Sequence, residues 1–193
     1  MLVTEYILSA LREQGVDHCF IDLGGLVDNF MPPLTGTTGL RTIVAAFEGG
    51  AAYMADGYAR ASGGLGVCLG MGGPGVLNMV TALAGARADR SPVIAISGEV
   101  AHLSDGMAGL QDAYGAGIDD IEVLRRITGL SLSVSSPAVA PHHLRHAITH
   151  AFAHRSPVHL SVPVDVQQAE IGTGWRPVPD APAHRRDRSQ LCG

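Results

Sequence analysis

The sequence is poor in charged residues and contains no lysine. Charged side chains make up 16% of the 193 residues, and the formal net charge is −5 with neutral histidines. An acidic chain whose cations are scattered arginines is a poor electrostatic match to nucleic acid. No apolar run approaches the roughly 18 residues that a membrane helix needs, and the N-terminus lacks the basic segment of a signal peptide. We therefore expect neither a nucleic-acid-binding protein nor a membrane protein.

Cysteine is also scarce, with three residues that lie far apart in the chain: Cys19, Cys68 and Cys192. They are odd in number and form no CxxC pair, so neither a disulfide framework nor a zinc site is indicated. A reducing, cytoplasmic compartment is the expectation that follows. The chain has 25 glycines and a hydrophobic content of 46%. With so little charge, this composition suggests that another protein covers much of the surface.

Short apolar segments alternate with helical patterns along the chain. The apolar segments, predicted as strands, lie at residues 17–23, 40–47, 65–69, 92–97, 131–134 and 157–162. The helical patterns lie at residues 4–14, with Thr4 as the expected N-cap, and at 28–34, 49–61, 76–88, 119–127 and 141–154. This alternation predicts an α/β fold, with an open six-stranded parallel sheet covered by helices on both faces. The predicted domain spans residues 1–171, and residues 172–193, rich in proline and arginine, are predicted to form a tail.

Glu48 is the most distinctive single residue, because it follows an apolar strand and opens an alanine-rich helix. Ligands of open parallel sheets bind at the carboxyl ends of the strands, where this residue is expected. The positive end of the helix favours an ionised carboxylate, whereas apolar surroundings favour the protonated acid. Its small neighbours, residues 49–52, leave room for a flat ligand or a second backbone. An ordinary acid in the first turn of a helix explains the same position, so the residue types leave both interpretations open.

The segment GMGGPG, at residues 70–75, satisfies the pattern GxGxxG between a strand and a helix, as a dinucleotide-binding turn would. The pattern follows the third predicted strand rather than the first, and Pro74 lacks a backbone donor. Asp89 comes too early and Glu99 too late to be the acid that follows such a turn by about 20 residues. A tight strand-to-helix turn is therefore favoured over nucleotide binding.

Four histidines lie four residues apart on the last predicted helix: His142, His146, His150 and His154. Histidines at this spacing can share a metal ion, but no acid lies on the same face. We expect a solvated helix face rather than a metal site.

Three segments together resemble a known family: FEGGAAYMADGYARASG from Phe47, GVCLGMGGPGVLNMVTALAGA from Gly66, and SPVIAISG from Ser91. In this order they are similar to the pyrimidine-binding (Pyr) domain of thiamine diphosphate enzymes, in the acetolactate synthase and 2-oxoacid decarboxylase group. The similarity extends from about residue 1 to residue 168. It implies the thiamine-diphosphate-binding form of the α/β fold and thiamine diphosphate as the cofactor.

The resemblance implies a catalytic role for Glu48, at the position of the family's glutamate. In the family this acid hydrogen-bonds N1′ of the cofactor's aminopyrimidine and favours the imino form that takes the proton from thiazolium C2. A buried carboxylate suits this role because it holds a proton that an exposed one would lose to water. The matching segment GPGxxN implies that Gly73, Pro74, Gly75 and Asn78 also bind the cofactor, near the aminopyrimidine and a subunit contact.

On the substrate side, the resemblance implies Gly24 and Gly25, in the loop after the first strand, and Gln111, in the string LQD. Two departures from the family concern this side. A histidine often precedes the family's glutamate, where Phe47 stands here, and the loop VFGxPG reads CFIDLG, with Asp22 as an unusual charge. An atypical substrate pocket is the expectation.

The largest departure is a missing diphosphate site. The family holds Mg²⁺ and the diphosphate with GDG and a downstream asparagine, and this sequence contains no GDG. Either a separate subunit supplies this site, as in the split sulfopyruvate decarboxylases, or the chain is a fragment. The initial methionine and the polar tail favour a separate subunit, and no metal ligand is expected in this chain.

The resemblance thus implies the Pyr-domain subunit of a two-chain enzyme that decarboxylates a 2-oxo acid, with or without carboligation to an aldehyde or ketone. Self-association through the Pyr domain and pairing with the diphosphate-domain subunit predict a heterotetramer with two copies of each chain. Two other interpretations stay open: a non-catalytic regulatory or scaffold subunit of the same fold, and a nucleotide-binding Rossmann protein.

Overall fold

The computed structural model describes residues 1–36, 38–104, 106–107, 111–112 and 118–172. Apart from Gly172, the predicted tail lies outside these residues, and its boundary at residue 171 stays a prediction.

The described residues form one parallel sheet of six strands. The strands are β1 (His18–Ile21), β2 (Arg41–Val44), β3 (Gly66–Met71), β4 (Val93–Glu99), β5 (Leu130–Ser133) and β6 (Val158–Pro163). They lie in the order β2-β1-β3-β4-β6-β5, and every neighbouring pair is parallel. The predicted open sheet of six parallel strands is therefore confirmed.

Among the described residues, eight α-helices connect and cover the strands. They are α1 (Val3–Glu13), α2 (Met31–Thr35), α3 (Glu48–Ser62), α4 (Pro74–Asn78), α5 (Val80–Ala88), α6 (Asp120–Ile127), α7 (Ala140–His154) and α8 (Val164–Gln167). Short 3₁₀ turns lie at Asp28–Phe30 and His102–Ser104. None of the helices in the described ranges is long and apolar enough to cross a membrane.

Three features of the helices differ from the prediction. Leu2 rather than Thr4 precedes α1, and Thr4 lies buried inside the first turn. The helix predicted over residues 76–88 is broken at Met79, whose amide donates to the carbonyl three residues back rather than four (3.0 Å). The helix α8 is not predicted, because four residues are too few to show a helical period.

The sheet has a hydrophobic core on each face. Along β1, Cys19 and Ile21 belong to the core beneath α1 and α7, whereas Phe20 belongs to the core beneath α3 and α5. The same alternation continues in β3 and β4, where Cys68 and Ile96 lie in opposite cores. Because helices cover both faces, these strands are apolar nearly throughout.

The edge strand β2 departs from this arrangement. Ile43 and Val44 are exposed, Val44 to 54% of its surface, and β2 pairs with β1 alone. The prediction of a strand covered on both faces is therefore wrong for β2. Its position at the end of the sheet leaves these apolar side chains accessible to solvent or to a partner.

All six strands point the same way, so the residues that follow them meet at one edge of the sheet. At this edge, Asp22 follows β1, Glu48 begins α3 shortly after β2, the turn at residues 72–75 follows β3, and Glu99 ends β4. These four segments build the candidate site.

Candidate active site at the carboxyl edge of the sheet

Glu48 is buried at the first position of α3, with 6% of its surface exposed. Its Oε2 atom accepts a hydrogen bond from Nδ2 of Asn78 (3.0 Å), the last residue of α4. The structure thus brings together two of the predicted cofactor-binding residues that lie 30 positions apart. Phe47, directly before the acid, is 52% exposed.

Two glycines leave the space that the Glu48 side chain occupies. A Cβ atom added at Gly75 would lie 2.7 Å from Oε1 of Glu48, and one added at Gly70 would lie 3.0 Å from its Cγ. In proteins a Cβ atom essentially never lies closer than 3.0 Å to a heavy atom outside its own residue and chain neighbours, so at a shorter distance one of the two groups must move. A side chain at position 75 would therefore displace the carboxylate, which explains the glycine there.

The turn at residues 72–75 uses its backbone donors inside the protein. The amide of Gly72 donates to the carbonyl of Gly98 (2.7 Å), and the amide of Gly73 donates to Oδ2 of Asp120 (3.3 Å). Pro74 has no backbone donor. Because a phosphate cradle needs free amides, this geometry disfavours a dinucleotide-binding turn and agrees with a tight strand-to-helix connection.

Asp22 brings a second acid to Glu48. Its amide donates to the carbonyl of Leu69 (3.1 Å), which ties the loop after β1 to β3, and its carboxyl hydrogen-bonds to that of Glu48. Partial burial, the charge of Glu48 and this hydrogen bond raise the pKa of Asp22 above its ordinary value. The charge of Glu48 therefore favours the neutral form of Asp22, because like charges repel. The unusual charge in the loop therefore lies at the candidate catalytic acid.

Met71, at the end of β3, links the predicted substrate-side residues. A Cβ atom added at Gly24 would lie 2.0 Å from its sulfur, and Nε2 of Gln111 approaches the same sulfur at 3.4 Å. A Cβ atom at Gly75 would also lie within 3.2 Å of Met71 Cβ, which connects this group to the surroundings of Glu48. Gly25 is exposed and has no described atom within 4 Å of its Cβ position, so it lies apart from the cluster.

Two buried acids behind the turn, Glu99 and Asp120, are not predicted from the sequence. They are 0% and 1% exposed and lie at the end of β4 and the start of α6. The signal that identifies Glu48 also marks Glu99, because both acids closely follow an apolar strand of a parallel sheet. No local pattern marks Asp120, whose contact with Gly73 spans 47 positions.

The remaining sequence features form no site in the described part of the chain. His142, His146 and His154 are exposed, whereas His150 is half-buried, so the predicted solvated face holds for three of the four histidines. Among the described residues, no cluster of three or more His, Cys, Asp or Glu could hold a metal ion. Cys19 and Cys68 are free thiols in the core, and burial raises the pKa of Cys68 to about 12.

Comparisons with known proteins agree with this geometry. Residues 1–122 match the family described as thiamine pyrophosphate enzyme, N-terminal TPP binding domain. The probable acetolactate synthase large subunit of Methanocaldococcus jannaschii is 37% identical over 185 residues, which cover 94% of this chain and 30% of that protein. The acetolactate synthase large subunit of Corynebacterium glutamicum is 35% identical, covering 93% of this chain and 28% of that protein.

A third relative, the probable 2-ketoarginine decarboxylase of Pseudomonas aeruginosa, is 35% identical, covering 96% of this chain and 32% of that protein. The chain therefore spans less than a third of the length of these curated relatives.

Proposed function

We propose a function from the premise that this chain belongs to the thiamine pyrophosphate enzymes and contains their N-terminal TPP-binding domain. The chain is proposed to be the Pyr-domain subunit of an enzyme acting on a 2-oxo acid. The observation that carries the proposal is the buried carboxylate of Glu48, held by Asn78 at the carboxyl edge of the sheet. The relatives are named as acetolactate synthases and a decarboxylase. The proposed reaction is decarboxylation, with carboligation as a further step.

The surroundings of Glu48 fit an aminopyrimidine ring. Glycine at positions 70 and 75 leaves room for the Glu48 side chain at this edge of the sheet. Leu23 and Phe47, at the same edge of the sheet, are about half exposed and offer apolar surface to a heterocycle or a partner. Thiamine diphosphate, when bound, supplies the carbon nucleophile and the electron sink that decarboxylation of a 2-oxo acid requires.

The residues of this chain hold and move a proton at the Glu48 carboxyl. Asn78 orients the carboxylate through Oε2, and burial limits competition from water. Asp22 lies beside Glu48, and burial together with the charge of Glu48 raises the pKa of Asp22 above its ordinary value. Gly73, Pro74 and Gly75 are proposed to bind the cofactor near its aminopyrimidine, as the resemblance implies.

A second polypeptide is proposed to hold the diphosphate and Mg²⁺. One support is that the chain spans less than a third of the length of its relatives. The other is the apolar surface at the edge of the site, where Leu23, Val44 and Phe47 are each about half exposed. A diphosphate-domain subunit that covers this surface would complete the site, and pairing of two Pyr domains would give two copies of each chain.

Replacing Glu48 by glutamine tests the proton role, because Glu48→Gln keeps the size of the side chain and an acceptor for Asn78 but cannot exchange a proton. We expect the turnover of the complex, supplied with thiamine diphosphate and Mg²⁺, to fall by at least about 10²-fold. The matched control is Glu13→Gln, an exposed acid at the end of α1, which should leave turnover unchanged. Unchanged turnover in Glu48→Gln would favour the regulatory or scaffold subunit instead.

Calorimetry distinguishes this proposal from nucleotide binding. Titration of the complex with thiamine diphosphate plus Mg²⁺ should give saturable heat, and titration with NAD should give none. The reason is that Gly72 and Gly73 donate their amides within the protein. Saturable heat with NAD alone would contradict the proposal.

A further inference from the structure

A chain of buried polar side chains crosses the sheet behind the turn at residues 72–75. Oγ of Ser131 lies 2.9 Å from Nδ1 of His159, and Nε2 of this ring lies 2.9 Å from Oγ of Ser97. Oγ of Ser97 in turn donates to Oε1 of Glu99 (3.3 Å). All four residues are at most 2% exposed, so water does not compete for these bonds.

In this series of hydrogen bonds, each donor points towards Glu99. Because Ser97 donates its one hydroxyl proton to Glu99, its oxygen accepts from Nε2 of His159. The ring therefore carries its proton on Nε2, and its Nδ1 accepts from the hydroxyl of Ser131. Burial lowers the pKa of His159 to about 4, which agrees with a neutral ring at neutral pH.

The second oxygen of Glu99, Oε2, has no hydrogen-bond donor among the described residues. Its carboxyl lies within hydrogen-bond reach of the buried carboxyl of Asp120. Two oxygen acceptors in contact repel unless a proton lies between them. Burial, the contact with Asp120 and, to a smaller extent, the charge of Asp112 raise the pKa of Glu99 to about 10, although its hydrogen bond from Ser97 acts the other way.

Both acids contact the turn. A Cβ atom added at Gly72 would lie 1.8 Å from Oε1 of Glu99, so this carboxyl packs directly against the Gly72 backbone. Oδ2 of Asp120 accepts the amide proton of Gly73 (3.3 Å). Gly73 has a φ of +60°, a backbone conformation that glycine adopts readily and other residues adopt rarely.

We propose that Glu99 is a positioning residue whose protonated carboxyl donates to Asp120 and so holds the turn at residues 72–75 in place beside Glu48. Ser97, which accepts from His159, donates to Oε1 of Glu99 and keeps that oxygen an acceptor, which directs the Glu99 proton through Oε2. Asp120 then accepts from both Glu99 and Gly73. The benefit to the cofactor rests on the proposed function of Glu48, whereas the proton and its effect on the turn do not.

Infrared spectroscopy of the full chain at pH 8 tests the proton. A protonated carboxyl has a C=O stretching band that is distinct from the bands of a carboxylate. We expect such a band in the wild type, its loss in Glu99→Gln and its retention in Glu48→Gln. A difference spectrum between the wild type and Glu99→Gln that lacks this band would overturn the proposal.

Amide hydrogen exchange at Gly72 and Gly73 tests the positioning. Glu99→Gln keeps a donor towards Asp120, whereas Glu99→Met fills a similar volume without one. We expect exchange at both amides to quicken by roughly tenfold or more in Glu99→Met and to stay within about twofold of the wild type in Glu99→Gln. Equal rates in the two variants would mean that volume alone supports the turn, and the proposal would fail.

Neither experiment depends on turnover, and the infrared comparison needs only the two glutamine variants, Glu99→Gln and Glu48→Gln, to fold. If Glu48→Gln keeps full activity while both results above are obtained, the proposed function fails and the role of Glu99 stands. If Glu48→Gln loses its activity but the infrared or the exchange result is not obtained, the enzyme assignment stands and the positioning role of Glu99 is wrong.

Discussion

Position 75 shows how one side chain determines the identity of another residue. Alanine there would place a Cβ atom 2.7 Å from Oε1 of Glu48. We expect Gly75→Ala to fold, because its backbone φ lies outside the positive range, and to displace the carboxylate. A misplacement of about 1 Å at reacting groups costs roughly 10²-fold in rate, so turnover of the complex should fall by that order. Steady-state kinetics measures the turnover, and urea unfolding of the same sample checks that the variant folds.

The matched control at the same scale is Gly85→Ala. Gly85 lies within α5, and its Cβ position has no described atom within 4 Å. Alanine in a helix interior is favoured over glycine by about 0.5–1 kcal/mol, so this variant should gain stability and keep its turnover. Equal loss of turnover in the two variants would show that the contact with Glu48 does not explain position 75.

At the scale of the elements, β4 and β2 represent opposite degrees of burial. Ile96, in the middle of β4, is 0% exposed, whereas Val44, in β2, is 54% exposed. We expect Ile96→Ala to lower the free energy of unfolding by about 2–5 kcal/mol, because it leaves a cavity in the core. Val44→Ala should change it by less than about 0.5 kcal/mol. Chemical denaturation measures both, and similar losses would contradict the description of β2 as an exposed edge.

The elements themselves are largely predictable from the sequence. Each of the six strands coincides with a predicted apolar segment, because burial on both faces produces an apolar run that is visible locally. The exposure of β2 is not predictable in this way, since Ile43 and Val44 are as apolar as the residues of a central strand. It depends on the strand order, which places β2 at the end of the sheet.

At the scale of the whole molecule, the exposed apolar surface predicts association. We expect this chain, co-expressed with the proposed diphosphate-domain subunit, to elute as a heterotetramer with two copies of each chain. Val44→Lys places a charge on the apolar surface and should weaken the assembly by roughly tenfold or more, whereas Thr149→Lys, on the exposed face of α7, should not. Size-exclusion chromatography with light scattering provides the masses, and a stable, active monomer of this chain alone would refute the prediction.

Two buried groups give the stability of the whole molecule opposite pH dependences. The pKa of His159 is lowered from 6.5 to about 4, so its contribution to stability is lost as the pH falls through this range. The pKa of Glu99 is raised from 4.5 to about 10, so its contribution is lost as the pH rises through that range. Between about pH 4.5 and 6.5 the two effects on the free energy of unfolding cancel. Above this range only the effect of Glu99 remains, and it lowers the free energy of unfolding as the pH rises.

Glu99→Gln isolates the Glu99 contribution to this pH dependence. The variant should become more stable relative to the wild type by roughly 1 kcal/mol for each pH unit between 6.5 and 9. Urea unfolding at constant ionic strength measures the difference, and Glu13→Gln, at an exposed position, should show no such trend. A stability difference that does not vary with pH would mean that Glu99 ionises normally in the folded protein.

Local patterns in the chain were sufficient for the strands and most of the helices, because these depend on the apolar period within short segments. The resemblance to a known family, rather than residue patterns alone, selected Glu48 and Asn78 as site residues. The contacts between Asp22 and Glu48, and from Glu99 through Asp120 to Gly73, depended on tertiary structure. They join residues that are far apart in sequence and that meet only after the strand order brings the carboxyl ends of the strands together. Whether such acids share protons depends on distance and burial, and both quantities exist only in the folded chain.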